Sequence, residues 1–214
     1  MQKRLGFGAV LLLLCTLAAA QEEVRIGEFS AGKLDGWQEK SFAGHTQYQL
    51  QEAVQGKVLH ARANASASGL LREIKVDLEK TPFLNWSWRV DNTFKDNDER
   101  SKAGDDYPAR VYVVVSGGML FWKTRAVNYV WSSHQPQGSD WPNAYTKNAH
   151  MLALQSGTAK LGRWVQEKRN VRDDLNVLFG KDVDHIDAIA IMVDADNTRQ
   201  SASASFGDIW FSAN

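Results

Sequence analysis

Short apolar and alternating runs, separated by Gly, Asn, Asp and Pro, make up most of the chain. In residues 83–91 (FLNWSWRVD), Leu84, Trp86, Trp88 and Val90 recur at every second position, so they share one face of a strand. Many short strands with turn residues between them predict an all-β fold, an antiparallel β-sandwich or jelly roll. The predicted strands are residues 24–29, 46–51, 58–63, 70–78, 83–91, 107–116, 125–132, 149–155, 164–170, 186–193 and 205–211.

One segment, RDDLNVLFGKD, has a helical pattern instead. Leu175, Leu178 and Phe179 fall on one side of a helix there. Asp173 is placed to cap its N-terminus, and Gly180 is placed to end it. The sequence therefore predicts one short helix beside the strands.

The first twenty residues have the features of a cleaved signal peptide. Lys3 and Arg4 form a short positive region, residues 5–17 are apolar, and alanine occupies positions 18–20. The apolar run is shorter than the roughly 20 residues that span a bilayer. Cleavage before Gln21 would make the protein periplasmic or secreted and would remove Cys15, the only cysteine. Acylation of Cys15 is the alternative, although the preceding Leu14 is bulky for a lipobox.

Residues 21–214 are predicted to form a single jelly-roll domain, because no linker or repeat interrupts them. The chain has 25 Lys and Arg residues against 25 Asp and Glu residues and no basic block, so nucleic acid is not an expected partner. No further apolar run is long enough for a membrane span in the mature chain. The sequence leaves the oligomeric state open.

Six sequence motifs, taken in their order along the chain, resemble those of a known protein family. Between about Phe29 and Phe211 the chain closely resembles the bacterial family of domain of unknown function 3047. That resemblance implies a secreted or periplasmic protein with a galactose-binding-like jelly roll, and it implies no particular reaction. The motifs are WSWRV, GDDYPARVYVVV, NYVW, GRWVQEKRNVRDDLNVLFG, IAIMVDADNT and FGDIWF.

Charged residues at two strand ends form the first candidate site. Asp105 and Asp106 precede an apolar strand that contains Arg110, and Asp194 and Asp196 follow another. If Arg110 points inward it needs a carboxylate partner, because an unpaired buried charge is very unfavourable. The cluster could simply join two strand ends, or it could also line a ligand pocket.

Aromatic residues and a histidine in loops form the second candidate site. The chain has eight tryptophans, and Trp131 and Trp141 flank a loop that contains His134. Exposed rings there would suit stacking on sugar rings, which have apolar C–H faces. The alternative is that both tryptophans are buried, as large aromatic side chains usually are.

The resemblance to galactose-binding-like domains also implies a structural Ca²⁺ ion between the first and last strands. Glu28 and Asp208 occupy those places and are the predicted metal ligands. The alternative is a solvated Glu28 and an Asp208 that accepts hydrogen bonds from backbone amides.

Three functional classes follow from these observations. The first is a non-catalytic binding module for a glycan or small polar ligand. The second is a carbohydrate-active enzyme, a lyase or hydrolase, that uses the Asp and Arg cluster. The third is a structural or assembly protein of the cell envelope. A Trp-lined open groove would favour the first, a deep pocket with converging charges the second, and a flat apolar patch the third.

Overall fold

The computed structural model describes residues 22–54, 56–180 and 182–214. The predicted signal peptide, residues 1–20, lies outside these ranges. Within them, no helix is long and apolar enough to cross a membrane.

Strands dominate the described part of the chain. The helix α1 spans Val171–Phe179, and short 3-10 turns occupy Phe29–Ala31, Lys102–Gly104 and Phe121–Lys123. The strands are β1 (Glu23–Gly27), β2 (Gln38–Ala43), β3 (Gln47–Ala53), β4 (Gly56–Asn64), β5 (Ala67–Asp77), β6 (Phe83–Val90), β7 (Ala109–Val115), β8 (Arg125–Ser132), β9 (Asp140–Pro142), β10 (Ala149–Ser156), β11 (Val165–Asn170), β12 (His185–Asp194), β13 (Ser201–Phe206) and β14 (Ile209–Ser212).

The strands form two sheets that face each other across the core. Sheet I has the order β1-β14-β6-β13-β4-β3, and β11 also pairs with β6. Sheet II has the order β2-β5-β12-β7-β8-β10-β9. The predicted β-sandwich with one short helix is therefore confirmed. Within this mainly antiparallel sandwich, β8 and β10 form a parallel pair. Residues 133–148 connect these two strands, and this segment is long enough for the crossover connection that a parallel pair needs.

Large aromatic side chains fill the space between the sheets. Trp86 and Trp88 on β6 are fully buried, as the alternating pattern predicts. Their rings meet those of β8 from the opposite sheet: Trp86 lies 5.4 Å from Tyr129, and Trp88 lies 6.1 Å from Trp131, centroid to centroid. These contacts join the two sheets and fix which face of β8 points inward.

Along strand β7, successive residues alternate between the core face and the outer face of sheet II. Ala109, Val111 and Val113 belong to the core between the sheets. Arg110 and Tyr112 lie between them in sequence and therefore face outward. The strand is apolar and rich in β-branched residues, which suits its central place in the sheet.

The helix begins three residues earlier than predicted. Asn170 rather than Asp173 is its N-cap, and the Asn170 side chain accepts a hydrogen bond from the Asp173 backbone N–H. Asp173 lies in the first turn, where a negative charge still suits the helix dipole. Gly180 ends the helix in the left-handed region with φ 62°, as predicted.

Three strands differ from the sequence prediction. The exposed, polar β2 and the three-residue β9 were not predicted, because neither has an apolar alternation to mark it. The predicted strand 205–211 is divided between β13 and β14 at Gly207. A Cβ atom at Gly207 would lie 2.3 Å from the Ser87 hydroxyl oxygen, so the chain bends there against β6.

A second, smaller apolar cluster covers one end of sheet II on its outer face. Its members come from β8, β9, β10 and the segment before β7, and they are Tyr107, Val130, Trp141, Met151 and Ala153. Arg110 is adjacent to Val130 across the sheet, so this cluster lies beside it. The outer face is therefore partly covered, and a polar residue on it can be fully buried.

Candidate functional site

The outer face of sheet II carries a buried ion pair between β7 and the end of β12. The Arg110 Nε donates to Asp194 Oδ1 over 2.8 Å, and Nη2 donates to Oδ2 of the same carboxylate. The guanidinium carbon lies 4.2 Å from the Tyr107 ring centroid. Arg110 is 4% exposed and Asp194 is 2% exposed, so both charges are withdrawn from water. The structure thus supplies the carboxylate partner that an arginine inside this strand needs.

Asp105 lies on the other side of the same guanidinium. Its Oδ2 is 3.8 Å from the Arg110 Nη1, and its backbone carbonyl accepts a hydrogen bond from Nη2. The Asn143 side-chain amide donates to both carboxylate oxygens at 3.2 Å. Asp105 therefore connects β7 to the loop that follows β9.

Asp106, the next residue, is fully buried and holds a different segment. Its Oδ1 accepts from the Asn197 backbone N–H at 3.2 Å, and its Oδ2 accepts from the Thr198 N–H at 2.6 Å. These bonds fix the turn that follows β12. The two adjacent aspartates before β7 therefore hold two segments, the loop after β9 and the turn after β12, close to one arginine.

A cavity of about 500 Å³ opens next to this cluster on the outer face of sheet II. We call it the outer pocket. Its size is within the range of small-molecule sites in proteins. Polar residues converge at one end, and aromatic residues stand at the rim. The residues that line it are Phe42, Ala67, Asp105, Arg110, Tyr112, Asn128, Asn143, Tyr145, Thr146, Ala149, Met192, Asp194, Asp196 and Asn197.

Asn128 contributes an unpaired acceptor to the outer pocket. It is 1% exposed, and its Nδ2 donates to the His150 carbonyl at 3.4 Å. Its Oδ1 is buried and meets no hydrogen-bond donor among the described residues. A buried polar atom without a partner is unfavourable by about 1–3 kcal/mol, so it is rarely kept without a use.

The rim of the outer pocket carries two exposed aromatic rings. Phe42 on the edge strand β2 and Tyr145 in the loop after β9 are both more than half exposed. The Tyr145 hydroxyl donates to the Lys102 carbonyl at 3.3 Å and accepts from the Asn197 side chain at 3.4 Å. These hydrogen bonds fix the position of the Tyr145 ring at the opening of the pocket.

An apolar groove continues from the outer pocket along sheet II. It has a volume of about 260 Å³ and shares Phe42, Tyr112 and Met192 with the pocket. Its lining includes Gly69, which has no side chain, and Ala190, whose side chain is a methyl group, so both leave room above the sheet. The two cavities form one depression that is polar at one end and apolar at the other.

Three carboxylates near the polar end could together hold a metal ion. One oxygen each of Asp106, Asp194 and Asp196 lie within 4.8 Å of one another. Burial raises the pKa of both Asp194 and Asp196, and the charge of Asp106 adds to this rise. Burial also raises the pKa of Asp105, and in Asp105 and Asp194 the Arg110 charge opposes the rise. Burial and mutual repulsion therefore disfavour the charged carboxylates, and protonation or a bound cation would relieve both effects.

The predicted platform of Trp131, Trp141 and His134 is not present as an exposed surface. Trp131 is fully buried in the core, and its Nε1 donates to the Gly157 carbonyl at 3.1 Å. Trp141 is 3% exposed and stacks on Tyr107 beneath the loops. The expectation of exposed tryptophans at these two positions is wrong, because both face apolar clusters on either side of sheet II. His134 is exposed, and it is not among the residues that line the outer pocket.

The predicted metal ligands Glu28 and Asp208 lie at the paired ends of β1 and β14. Asp208 accepts hydrogen bonds from the backbone N–H and the hydroxyl of Ser30, at 2.8 and 2.5 Å. Glu28 is exposed enough to form an ion pair with Lys33 at 3.3 Å. Protein donors thus satisfy both carboxylates, and a metal at this pair stays a prediction.

The sequence model of the family described as "Protein of unknown function (DUF3047)" matches residues 35–210. The chain belongs to this family. The match includes β2 to β13 and every residue that lines the outer pocket. No curated protein matches the chain.

Solved structures of carbohydrate-binding modules are distantly similar in fold. A family 11 module from Clostridium thermocellum, in complex with a β-1,3-1,4-mixed-linked tetrasaccharide, has a TM-score of 0.49 at 12% identity and covers 90% of this chain and 96% of its own. A family 30 module of a cellulosomal cellulase of the same organism has a TM-score of 0.48 at 9% identity, with 84% and 92% coverage.

Several residues of the outer pocket were not predicted as site residues. Asn128 had a usable signal, because it is a lone amide within the apolar run of β8. Asn143, Tyr145 and Asn197 lie in loops whose positions depend on the fold. Phe42 lies on β2, the strand that the pattern did not predict. Only the pairing of the strands reveals that these residues meet.

Proposed function

We propose that this protein is a non-catalytic module that binds a glycan or small polar ligand in the outer pocket. We also propose that residues 1–20 are a cleaved signal peptide and that residues 21–214 act as one domain in the periplasm or outside the cell. The observation that carries the binding proposal is the outer pocket itself, a cavity of about 500 Å³ with a polar end and an aromatic rim.

The composition of the outer pocket suits a hydroxyl-rich ligand. The carboxylate of Asp196 and the free Oδ1 of Asn128 can accept hydrogen bonds from ligand hydroxyls. The exposed rings of Phe42 and Tyr145 can pack against the apolar C–H faces of a sugar. The pocket therefore offers both kinds of contact that a saccharide makes.

The engagement of Asp106 and Asp194 disfavours these two carboxylates as catalytic groups. Asp106 is engaged by two backbone amides, and Asp194 is engaged on both oxygens by Arg110. A general acid or base must be free to exchange a proton with the substrate. Incubation with the oligosaccharides that bind, followed by product analysis, tests the enzymatic alternative.

Isothermal titration calorimetry against a panel of oligosaccharides tests the binding proposal. Tyr145→Ala removes a rim ring and should weaken binding of any sugar that binds. Val177→Ala, which trims an exposed residue of α1 outside the pocket, is the control and should leave the affinity unchanged. Binding that is insensitive to Tyr145→Ala would place the site elsewhere.

Ca²⁺ is the second candidate ligand, and the spacing of Asp106, Asp194 and Asp196 favours it. All three offer oxygen ligands, which suit Ca²⁺ better than a transition metal. The ion would compete with Arg110 for Asp194. A melting temperature that falls with a chelator and recovers with Ca²⁺ would support this candidate, and Asp196→Asn should remove the response.

A further inference from the structure

We propose that the ligand of the outer pocket carries a protonated amine, so that the preferred saccharide is an amino sugar with a free ammonium group. This inference rests on the proposed function and names the ligand class for the same site. It follows from two features: the excess of carboxylates and the unpaired Asn128 acceptor.

The charges that line the outer pocket do not balance. Three carboxylates line it, those of Asp105, Asp194 and Asp196, whereas Arg110 is its one cationic lining residue. Lys40 lies over the Phe42 ring and lines the apolar groove, and Lys102 lies over the Tyr145 ring, so neither lines the outer pocket itself. A cationic ligand would compensate the remaining negative charge in a place where burial makes that charge unfavourable.

The hydrogen-bonding groups of the outer pocket show the same asymmetry. Asn128 is almost completely buried, lines the cavity, and has an Oδ1 without a donor among the described residues. By contrast, the amide of Asn143 is used by Asp105, and that of Asn197 is used by Asp196 and Tyr145. The Asn128 Oδ1 is therefore an acceptor that a donating ligand would satisfy.

An ammonium group is the donor that satisfies both requirements. It carries one positive charge and three N–H donors, so it suits both a carboxylate and an amide oxygen as acceptors. Charge-assisted hydrogen bonds of this kind are about twice as strong as neutral ones. A uronic acid or a phosphate would bring a second negative charge next to Asp196 and is excluded by the same count.

A divalent metal fits the lining less well than an ammonium. Both oxygens of Asp106 and both of Asp194 already accept hydrogen bonds from protein donors. The Arg110 charge contacts Asp194 and would repel a dication bound there. Asn128 and Asp196 remain for a ligand, and an ammonium can use these without displacing Arg110.

The test compares three β-1,4-linked tetrasaccharides that differ at carbon 2: the glucosamine tetramer, its N-acetylated form and cellotetraose. Calorimetry at a pH where the amine is protonated measures each affinity for the full mature chain. We expect the glucosamine tetramer to bind about tenfold or more tightly than the other two. Asp196→Asn should remove this preference, and Asn128→Leu should weaken it.

The control variant is Asp173→Asn, which removes the same charge from an exposed position on α1 outside the pocket. It should keep the preference for the amine. Equal binding of all three tetramers would overturn this inference while leaving the proposed function in place. No binding of any tetramer would overturn both, as far as saccharides are concerned. A response to Ca²⁺ alone, with no preference for the amine, would identify the acidic end as a metal site and also overturn the inference.

Discussion

Replacement of Arg110 by methionine tests the central ion pair most directly. Methionine keeps the volume of the aliphatic stem but removes the guanidinium, so Asp194, which is 2% exposed, loses its charged partner and both hydrogen bonds from it. Breaking a buried pair from one side costs about 3–5 kcal/mol, because the remaining charge is left uncompensated. For a domain of this size, each kcal/mol shifts the melting temperature by about 2–4 °C. We therefore expect a fall of about 6–20 °C.

Two further variants make the measurement decisive. Arg172→Met breaks a pair of the same chemistry with Asp182 on the exposed surface, at 2.7 Å, and should change the melting temperature little. The double variant Arg110→Met/Asp194→Asn removes both charges but keeps an acceptor for the Tyr107 N–H, and it should recover part of the loss. Differential scanning calorimetry gives all four values. A loss for Arg110→Met no larger than that for Arg172→Met would refute the argument that burial makes this pair important.

Three other variants test separate parts of the description. Asn128→Leu should raise the melting temperature by removing an unsatisfied buried oxygen, a gain of about 1 kcal/mol, and a lower value would show that this oxygen has a partner. Because the folded pKa of Asp196 is raised, the stability due to its protonated form is present below the ordinary carboxyl pKa and lost as the pH rises through the folded value. Melting curves from about pH 4 to about pH 8 should therefore show a fall that Asp196→Asn reduces, and an equal fall in both proteins would contradict the assignment. Trp131→Phe should lower the melting temperature, because the hydrogen bond to the Gly157 carbonyl is lost, and it should leave ligand affinity unchanged. A change in affinity without a change in melting temperature would show that Trp131 contacts the ligand.

The sequence predicts the fold well where burial alternates strictly. In β6, Trp86 and Trp88 repeat with period two, and in α1 the apolar positions and Gly180 mark the element and its end. The same rule fails for β2, because an exposed edge strand has no buried face to leave a pattern. It also fails to separate β13 from β14, because the bend at Gly207 depends on Ser87 of a neighbouring strand.

The candidate site is predictable only in part, for a similar reason. The need for a carboxylate near Arg110 follows from its own sequence context, since a charge within an apolar strand must be paired if it is buried. The choice of Asp194 depends on the pairing of β12 with β7. Trp131 was assigned to the wrong environment because a tryptophan at the end of a strand fits both a core and a loop platform. Only the position of Trp88 on the opposite sheet decides between them.

The ion pair of Arg110 and Asp194 also has a consequence for the rate at which the protein unfolds. The two residues are 84 positions apart in sequence, so the pair closes a long loop and requires β12 to lie beside β7 first. Until then both charges are hydrated, and their transfer from water belongs to the last stage of folding. Interactions absent from the transition state act mainly on the unfolding rate. The pair is therefore expected to lengthen the lifetime of the folded protein much more than it speeds its formation.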